Sequence, residues 1–300
     1  MEDYYNTTLR NIVKMAYYGK SENTVKSAYK KIRHFLKTVG KRHYEVTPSD
    51  VERFIAEKIP EGGGSDKRTY VKLTLIHLQK LYEYLDSIGD GDYSKLIEYL
   101  KRRKRDIKLP KVHRRDFLSE EEVERFLKAL RREPPMFQLI FILMLKYGMR
   151  INEALTLKRS DVLEEHRAIR YVGKGEKEQY VFIENDDDWD LVMRVKSSSN
   201  GEYMFTSYNG RPVSYRSVQS TFKRLLREAG FPEERVKRLR LHDLRRTSAI
   251  MVYRMTNDIV AVKEWLGHEK IETTMIYLDM GSDKYRRKRE ISKMIGGRVK

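Results

Sequence analysis

Apolar residues recur every three or four positions through most of the chain, which predicts a mainly helical protein. In the first hundred residues Val25, Ala28, Tyr29, Ile32, Phe35 and Leu36 share one helix face, and Gly40 can close that helix. Thr47-Pro48 opens a second helix with Val51, Phe54 and Ile55 inside. Gly62-Gly63-Gly64 breaks the pattern. Ser65 then caps a longer helix carrying Tyr70, Leu73, His77, Leu81 and Leu85, and a further helix runs from about Asp92 to Arg105. The prediction is a compact four-helix unit over residues 1–105.

The second half has a different signature. Ser119 and Glu122 form a capping box, with Leu118 and Val123 as the hydrophobic staple beside it. A nearly uniform apolar stretch from Pro135 to Tyr147 predicts a buried helix that stops at Gly148. Residues 168–172 and 179–183 alternate apolar and polar positions about Gly173-Lys174-Gly175, the pattern of a β-hairpin. From Asp186 onward the period is helical again. Asn185 followed by Asp186-Asp187-Asp188-Trp189-Asp190 reads as a helix start whose acids complement the dipole, not as a metal site. The expected fold is mainly α with a small β-sheet in two domains: helical over 1–105, mixed α/β over 117–300, joined by a linker over 106–116.

Charge changes the picture from architecture to partner. The chain carries 62 Lys and Arg against 44 Asp and Glu, a net charge of +18. Residues 1–110 hold 23 basic and 15 acidic side chains, so the excess is shared by both halves. The segment KRRKRDIKLPKVHRRD at 101–116 alone holds nine Lys or Arg, with Pro110 biasing Leu109 toward an extended backbone. A charged surface of the kind found at high temperature would account for part of this. A polyanionic partner accounts for its spread over both domains. No cysteine is present, which excludes disulfides and cysteine-ligated zinc and suits a reducing cytoplasm. The N-terminus MEDYYNTTLR lacks an apolar signal region, and the apolar run ending at Leu145 is too short to span a bilayer, so no membrane association is expected.

Cutting a phosphodiester needs a nucleophile, groups that stabilise charge on the phosphorane, and a proton for the leaving oxygen. Four segments offer these. In YGMRINEAL, Gly148 ends one helix and another starts near Ile151, so Arg150 sits at a rigid junction with Glu153 placed to orient it. Lys174 lies at the hairpin tip. In LRLHDLRRTSA, His242 and Arg245 are three apart on one helix face. In WLGHEKIETTMIY, His268 precedes Tyr277 by nine residues. Singly each is weak: the chain has 20 tyrosines, and HxxR is a common accident.

Together and in this order, YGMRINEAL, YVGKGEKEQYVFI, LRLHDLRRTSA and WLGHEKIETTMIY resemble the tyrosine recombinase family of the Xer and phage-integrase type. The likeness runs from about Phe117 to Tyr277, while the helical first domain resembles that family's SAM-like core-binding module less specifically. The resemblance implies site-specific cutting and rejoining of double-stranded DNA through a 3′-phosphotyrosyl intermediate, with no metal and no ATP. It implies Tyr277 as nucleophile and Arg150, Arg245 and His268 on the non-bridging oxygens. Lys174 would protonate the leaving 5′-oxygen, His242 would assist deprotonation of Tyr277, and Glu153 would orient Arg150. Arg246 stands where relatives more often carry histidine, and reads as a phosphate or structural contact. Lys177 is the alternative to Lys174, and Tyr285 the alternative to Tyr277. A type IB topoisomerase-like relaxing enzyme and a non-catalytic architectural DNA-binding protein are the competing functions. The resemblance also implies a homotetramer on two DNA sites, from a free monomer or weak dimer. The basic segment 284–295, with Ile291, Met294 and Ile295 at helical spacing, is expected to dock on a neighbouring copy.

Overall fold

The computed structural model describes residues 2–60, 65–109, 116–173, 177–207, 210–271 and 274–275. Lys174, Tyr277, Tyr285, the Gly62–Gly64 break, linker residues 110–115 and the segment 284–295 lie outside these described residues. The chain divides into two compact units, Met1–Val112 and His113–Lys300.

The first unit is helical throughout. A π-helical turn at Tyr4–Leu9 runs into α1 (Arg10–Ala16), followed by α2 (Glu22–Val39), α3 (Pro48–Lys58), α4 (Ser65–Ser87) and α5 (Ser94–Asp106). The four helices expected from the pattern are present, but the unit holds more than four. Tyr5, Leu9, Val13 and Ala16 of the first helical stretch are buried in the same core as Ile32, Phe35, Phe54 and Leu81. The longest helix turns Leu81 and Leu85 inward as the pattern predicts, with one exception in the expected set. Leu73 is 40% exposed, whereas Val71, Leu75, Leu78, Leu81, Tyr82 and Leu85 are buried. Ile107 packs into this core as well.

The second unit is built on α7 (Pro135–Leu145), whose residues Leu139 to Leu145 are all buried. Around it stand α6 (Glu120–Leu130), α8 (Ile151–Leu155), α9 (Asp186–Ser198), α10 (Tyr215–Glu228), α11 (Glu233–Arg238), α12 (Leu241–Thr256) and α13 (Ile259–Trp265). Phe126, Phe141 and Phe222 bring α6, α7 and α10 together, with ring centroids 5.8–6.1 Å apart. Strands β1 (Val162–Leu163), β2 (Ala168–Val172) and β3 (Glu178–Phe182) form one antiparallel sheet in that order. The hairpin is as the alternation predicts, and β1 is a short addition. The β2–β3 register pairs Tyr171 with Gln179 and Val172 with Glu178, and the Gly173 amide donates to the Lys177 carbonyl at 2.8 Å below the tip.

One device fixes several helix starts. An acid in the first turn accepts the backbone N–H of the residue before the helix, offsetting an orphan donor and the dipole together. Glu122 does so for Ser119, Glu153 for Arg150 and Asp243 for Arg240, at 2.7–2.9 Å. At α9, Asn185 accepts from the Asp188 amide at 3.0 Å, as expected of a helix start.

Candidate active site

Arg150 occupies the residue before α8, with φ −76° and ψ 143°. The buried Glu153 carboxylate holds it twice: one oxygen accepts the Arg150 amide at 2.8 Å and the other accepts Nη1 at 2.6 Å. The guanidinium is thereby tied to the backbone that carries it. Its side chain remains 30% exposed, enough to meet an incoming ligand.

Arg245 lies one turn into α12 and is fully buried. Nη1 donates to the Gly148 carbonyl at 2.5 Å and Nη2 to the Leu266 carbonyl at 2.6 Å. Glu153 lies 3.8 Å from the same guanidinium. One side chain thus joins the junction that carries Arg150 to the turn that carries His268. Two left-handed turns with close neighbours favour glycine here. Gly148 has φ +68°, and a methyl added to it would lie 2.8 Å from Leu266 Cδ2 and 3.3 Å from Ser248 Oγ. Gly267 has φ +59°, and a methyl there would lie 2.9 Å from Gln179 Oε1.

His268 is buried, with Nδ1 2.9 Å from Thr274 Oγ1. Burial, with the charges of Arg245, Arg150 and His242 nearby, pushes its imidazole down to about 3. The ring is therefore neutral at pH 7 in the protein alone. Tyr171 of β2 is buried beside the same groups: burial and Glu153 raise its phenol, while Arg245 and Arg150 pull the other way. His242 is exposed on the first turn of α12.

The structure therefore brings Arg150, Glu153, Arg245, His242 and His268 into one site from α8, α12 and the turn after α13. Two guanidinium groups face one carboxylate, so the cluster carries unbalanced positive charge in a partly desolvated place. Such a site favours an anion. Among the described residues no group of three or more His, Cys, Asp or Glu is arranged to hold a metal ion. No described helix is long and apolar enough to cross a membrane.

The surrounding packing holds this arrangement in place. Tyr147 stacks on Trp265 at 6.3 Å, and its hydroxyl donates to Asp188 at 2.9 Å. Lys146 pairs with the same carboxylate at 2.8 Å. Asp188 thus does more than complement a helix dipole. Ser248 links the Trp265 indole to the Lys146 carbonyl, both at 3.1 Å. Arg246 is buried and turns to Asp116 and Asp243, the structural one of its two expected roles. Lys177 reaches Glu269 at 2.9 Å, both side chains being exposed. Tyr171, Gln179 and Ser248 lie inside the family-like segments without a role read for them, and Asp188 is read only as part of a helix start.

The model of the phage integrase family matches residues 116–283. A tyrosine recombinase of Thermosipho africanus is 30% identical over 264 residues, covering 86% of this chain and 89% of that protein. Tyrosine recombinase XerH of Campylobacter jejuni is 30% identical over 196 residues, covering 62% of this chain but only 53% of its relative. Among solved structures, the Tn1549 transposon integrase in complex with transposon right end DNA has a TM-score of 0.68 at 18% identity, covering 96% of this chain and 98% of that one. A lambda integrase tetramer bound to a Holliday junction has a TM-score of 0.66 at 17% identity, covering 91% and 76%.

Proposed function

The chain belongs to the phage integrase family of tyrosine recombinases, and from that premise we propose that it recombines DNA at a specific site through a covalent 3′-phosphotyrosyl intermediate. The observation that carries the reading is the anchoring of Arg245 on Gly148 and Leu266, which unites Arg150 and His268 in one anion-binding cluster.

In this mechanism the scissile phosphate enters the cluster, and Arg150 and Arg245 each present donors to its non-bridging oxygens. Arginine suits this because its fork of N–H groups matches two oxygens at once. His268, neutral beforehand, gives a further hydrogen bond, and an arriving phosphate raises its proton affinity. The Tyr277 oxygen attacks phosphorus as its proton passes toward His242, since a phenol of pKa ~10 is mostly neutral at pH 7. The bond to the 5′-oxygen breaks, and Lys174 supplies the proton that makes it a hydroxyl. The phosphotyrosyl ester keeps the energy of the broken bond, so reversing the steps with a new 5′-hydroxyl reseals the strand without ATP. The ion pair of Lys177 with Glu269 favours Lys174 as the proton donor.

The partner is duplex DNA, with four copies on two sites; a DNA partner is supported by the Tn1549 integrase bound to transposon right end DNA, and four copies by the lambda integrase tetramer bound to a Holliday junction. The helical first unit acts as the core-binding domain, and the part of 106–116 that follows α5 and the buried Ile107 as a basic linker between the two. The free protein is a monomer or weak dimer of the cytoplasm. The test is a nicked duplex from which the cleaved fragment diffuses away. The full chain forms a covalent protein–DNA adduct in the presence of chelator, and Tyr277→Phe binds the same duplex without forming it. Adduct formation by Tyr277→Phe would defeat the assignment. Strand transfer between two duplexes, as opposed to relaxation alone, separates this reading from a type IB topoisomerase.

A further inference from the structure

The residues beside His268 both meet the β2–β3 hairpin. On one side, a methyl at Gly267 would lie 2.9 Å from Gln179 Oε1 and 3.6 Å from the Tyr171 hydroxyl oxygen. Tyr171 and Gln179 are direct cross-strand partners, so one rung of the hairpin forms that surface. On the other side, Glu269 pairs with Lys177 at 2.9 Å, just above the closure of Gly173 on Lys177. The Leu266 carbonyl, held by Arg245, fixes the turn from a third direction. The rung has a fixed place in a sheet, and that is what a turn at positive φ needs beneath it.

From this arrangement we propose that Tyr171 and Gln179 are positioning residues for His268: the rung is a shelf that seats the Gly267–Glu269 turn, so that the imidazole meets the phosphate together with Arg150 and Arg245. This rests on the role given to His268 above. Gln179 acts by occupying space against Gly267, where a side chain of its length is in contact. The Lys177–Glu269 pair is exposed and contributes less, because solvent screens it.

The experiment is a double-mutant cycle in single-turnover cleavage of the nicked duplex, using the full chain with Gln179→Ala, His268→Ala and both together. Gln179→Ala is expected to cleave on the order of tenfold more slowly at unchanged DNA affinity, a loss large enough to register but below removal of a transition-state donor. Gln179→Met, which keeps the length without the amide, retains the rate within about twofold because the shelf works by contact. In the His268→Ala background, removing Gln179 costs nothing further. Additive losses on top of an impaired His268→Ala would overturn the shelf alone, as would full activity of Gln179→Ala. A His268→Ala protein that cleaves at the unaltered rate would remove the role assigned to His268, and the shelf with it.

Discussion

Arg245 is fully buried with two nitrogens committed to the carbonyls of Gly148 and Leu266, and that makes lysine a poor replacement. A lysine ammonium is one point charge and cannot span both carbonyls. Arg245→Lys should lose about 1–3 kcal/mol for the carbonyl left unsatisfied. It should also lose ~100-fold or more in strand cleavage, as expected on removing a preorganised donor. Denaturant unfolding and single-turnover cleavage check the two halves, and a variant as stable and fast as the parent would contradict both. Gly148→Ala tests the same junction from the backbone. It places a methyl against Leu266 and Ser248 at a φ of +68°, at a cost of about 1–3 kcal/mol. Arg150 should shift with it, so cleavage should fall even at temperatures where the variant is folded. The cations themselves were legible in the sequence because their motifs are ordered along the chain. Their anchors were not, because a carbonyl acceptor has no side-chain signature. Tyr171 and Gln179 lie inside a family-like segment, but a role through shape shows only where their rung meets the turn at Gly267. Tyr277 and Lys174 rest on their motifs, since both lie outside the described residues.

At the scale of elements, caps and periodicity carried most of the reading. Ser119 with Glu122 announces α6 because both ends of the capping box are side chains with that preference. The same carboxylate-to-amide bond at α8 and α12 is harder to see, because arginine stands at the capping position in each. The first helical stretch was missed although Tyr5, Leu9, Val13 and Ala16 keep helical spacing, since Asn6-Thr7-Thr8 has low helix propensity. Tertiary burial overrides that propensity here. Leu73 shows the converse, since it shares the helical period of Leu81 and Leu85 yet lies 40% exposed on the side away from Leu75 and Leu78. Packing between elements gives its own prediction. Phe222 of α10 meets Phe126 and Phe141 and is fully buried. Phe222→Ala should destabilise the protein by about 3–5 kcal/mol through lost contacts and the cavity left behind. A loss under about 1 kcal/mol in chemical denaturation would show that the three-helix junction collapses to fill the space.

At the scale of the molecule, charge and protonation matter more than any one contact. Burial holds His77 of the first unit down at about 4 and His268 of the second at about 3, and lowers His43 as well. In the unfolded chain a histidine titrates near ~6.5. Below that value the unfolded state therefore binds protons that the folded state refuses, so stability falls as pH drops from about 6.5 toward 4. The urea midpoint at pH 5 should lie below that at pH 7.5, and His77→Gln should narrow the gap. Equal midpoints would contradict the assignment. Positive charge on both halves predicts DNA binding that weakens steeply with salt through counterion release. Residues 1–105, which hold nearly all of a hydrophobic core of their own, should bind DNA at low salt more weakly than the whole chain. The measurement closest to the central claim is mass spectrometry of the peptide that remains attached to DNA after the nicked duplex is cleaved and the complex digested with protease. One modified peptide is expected, with Tyr277 joined to the 3′-phosphate and a free 5′-hydroxyl on the other strand end. A modification on Tyr285, a 5′-phosphate linkage, or cleavage with no peptide attached would contradict it.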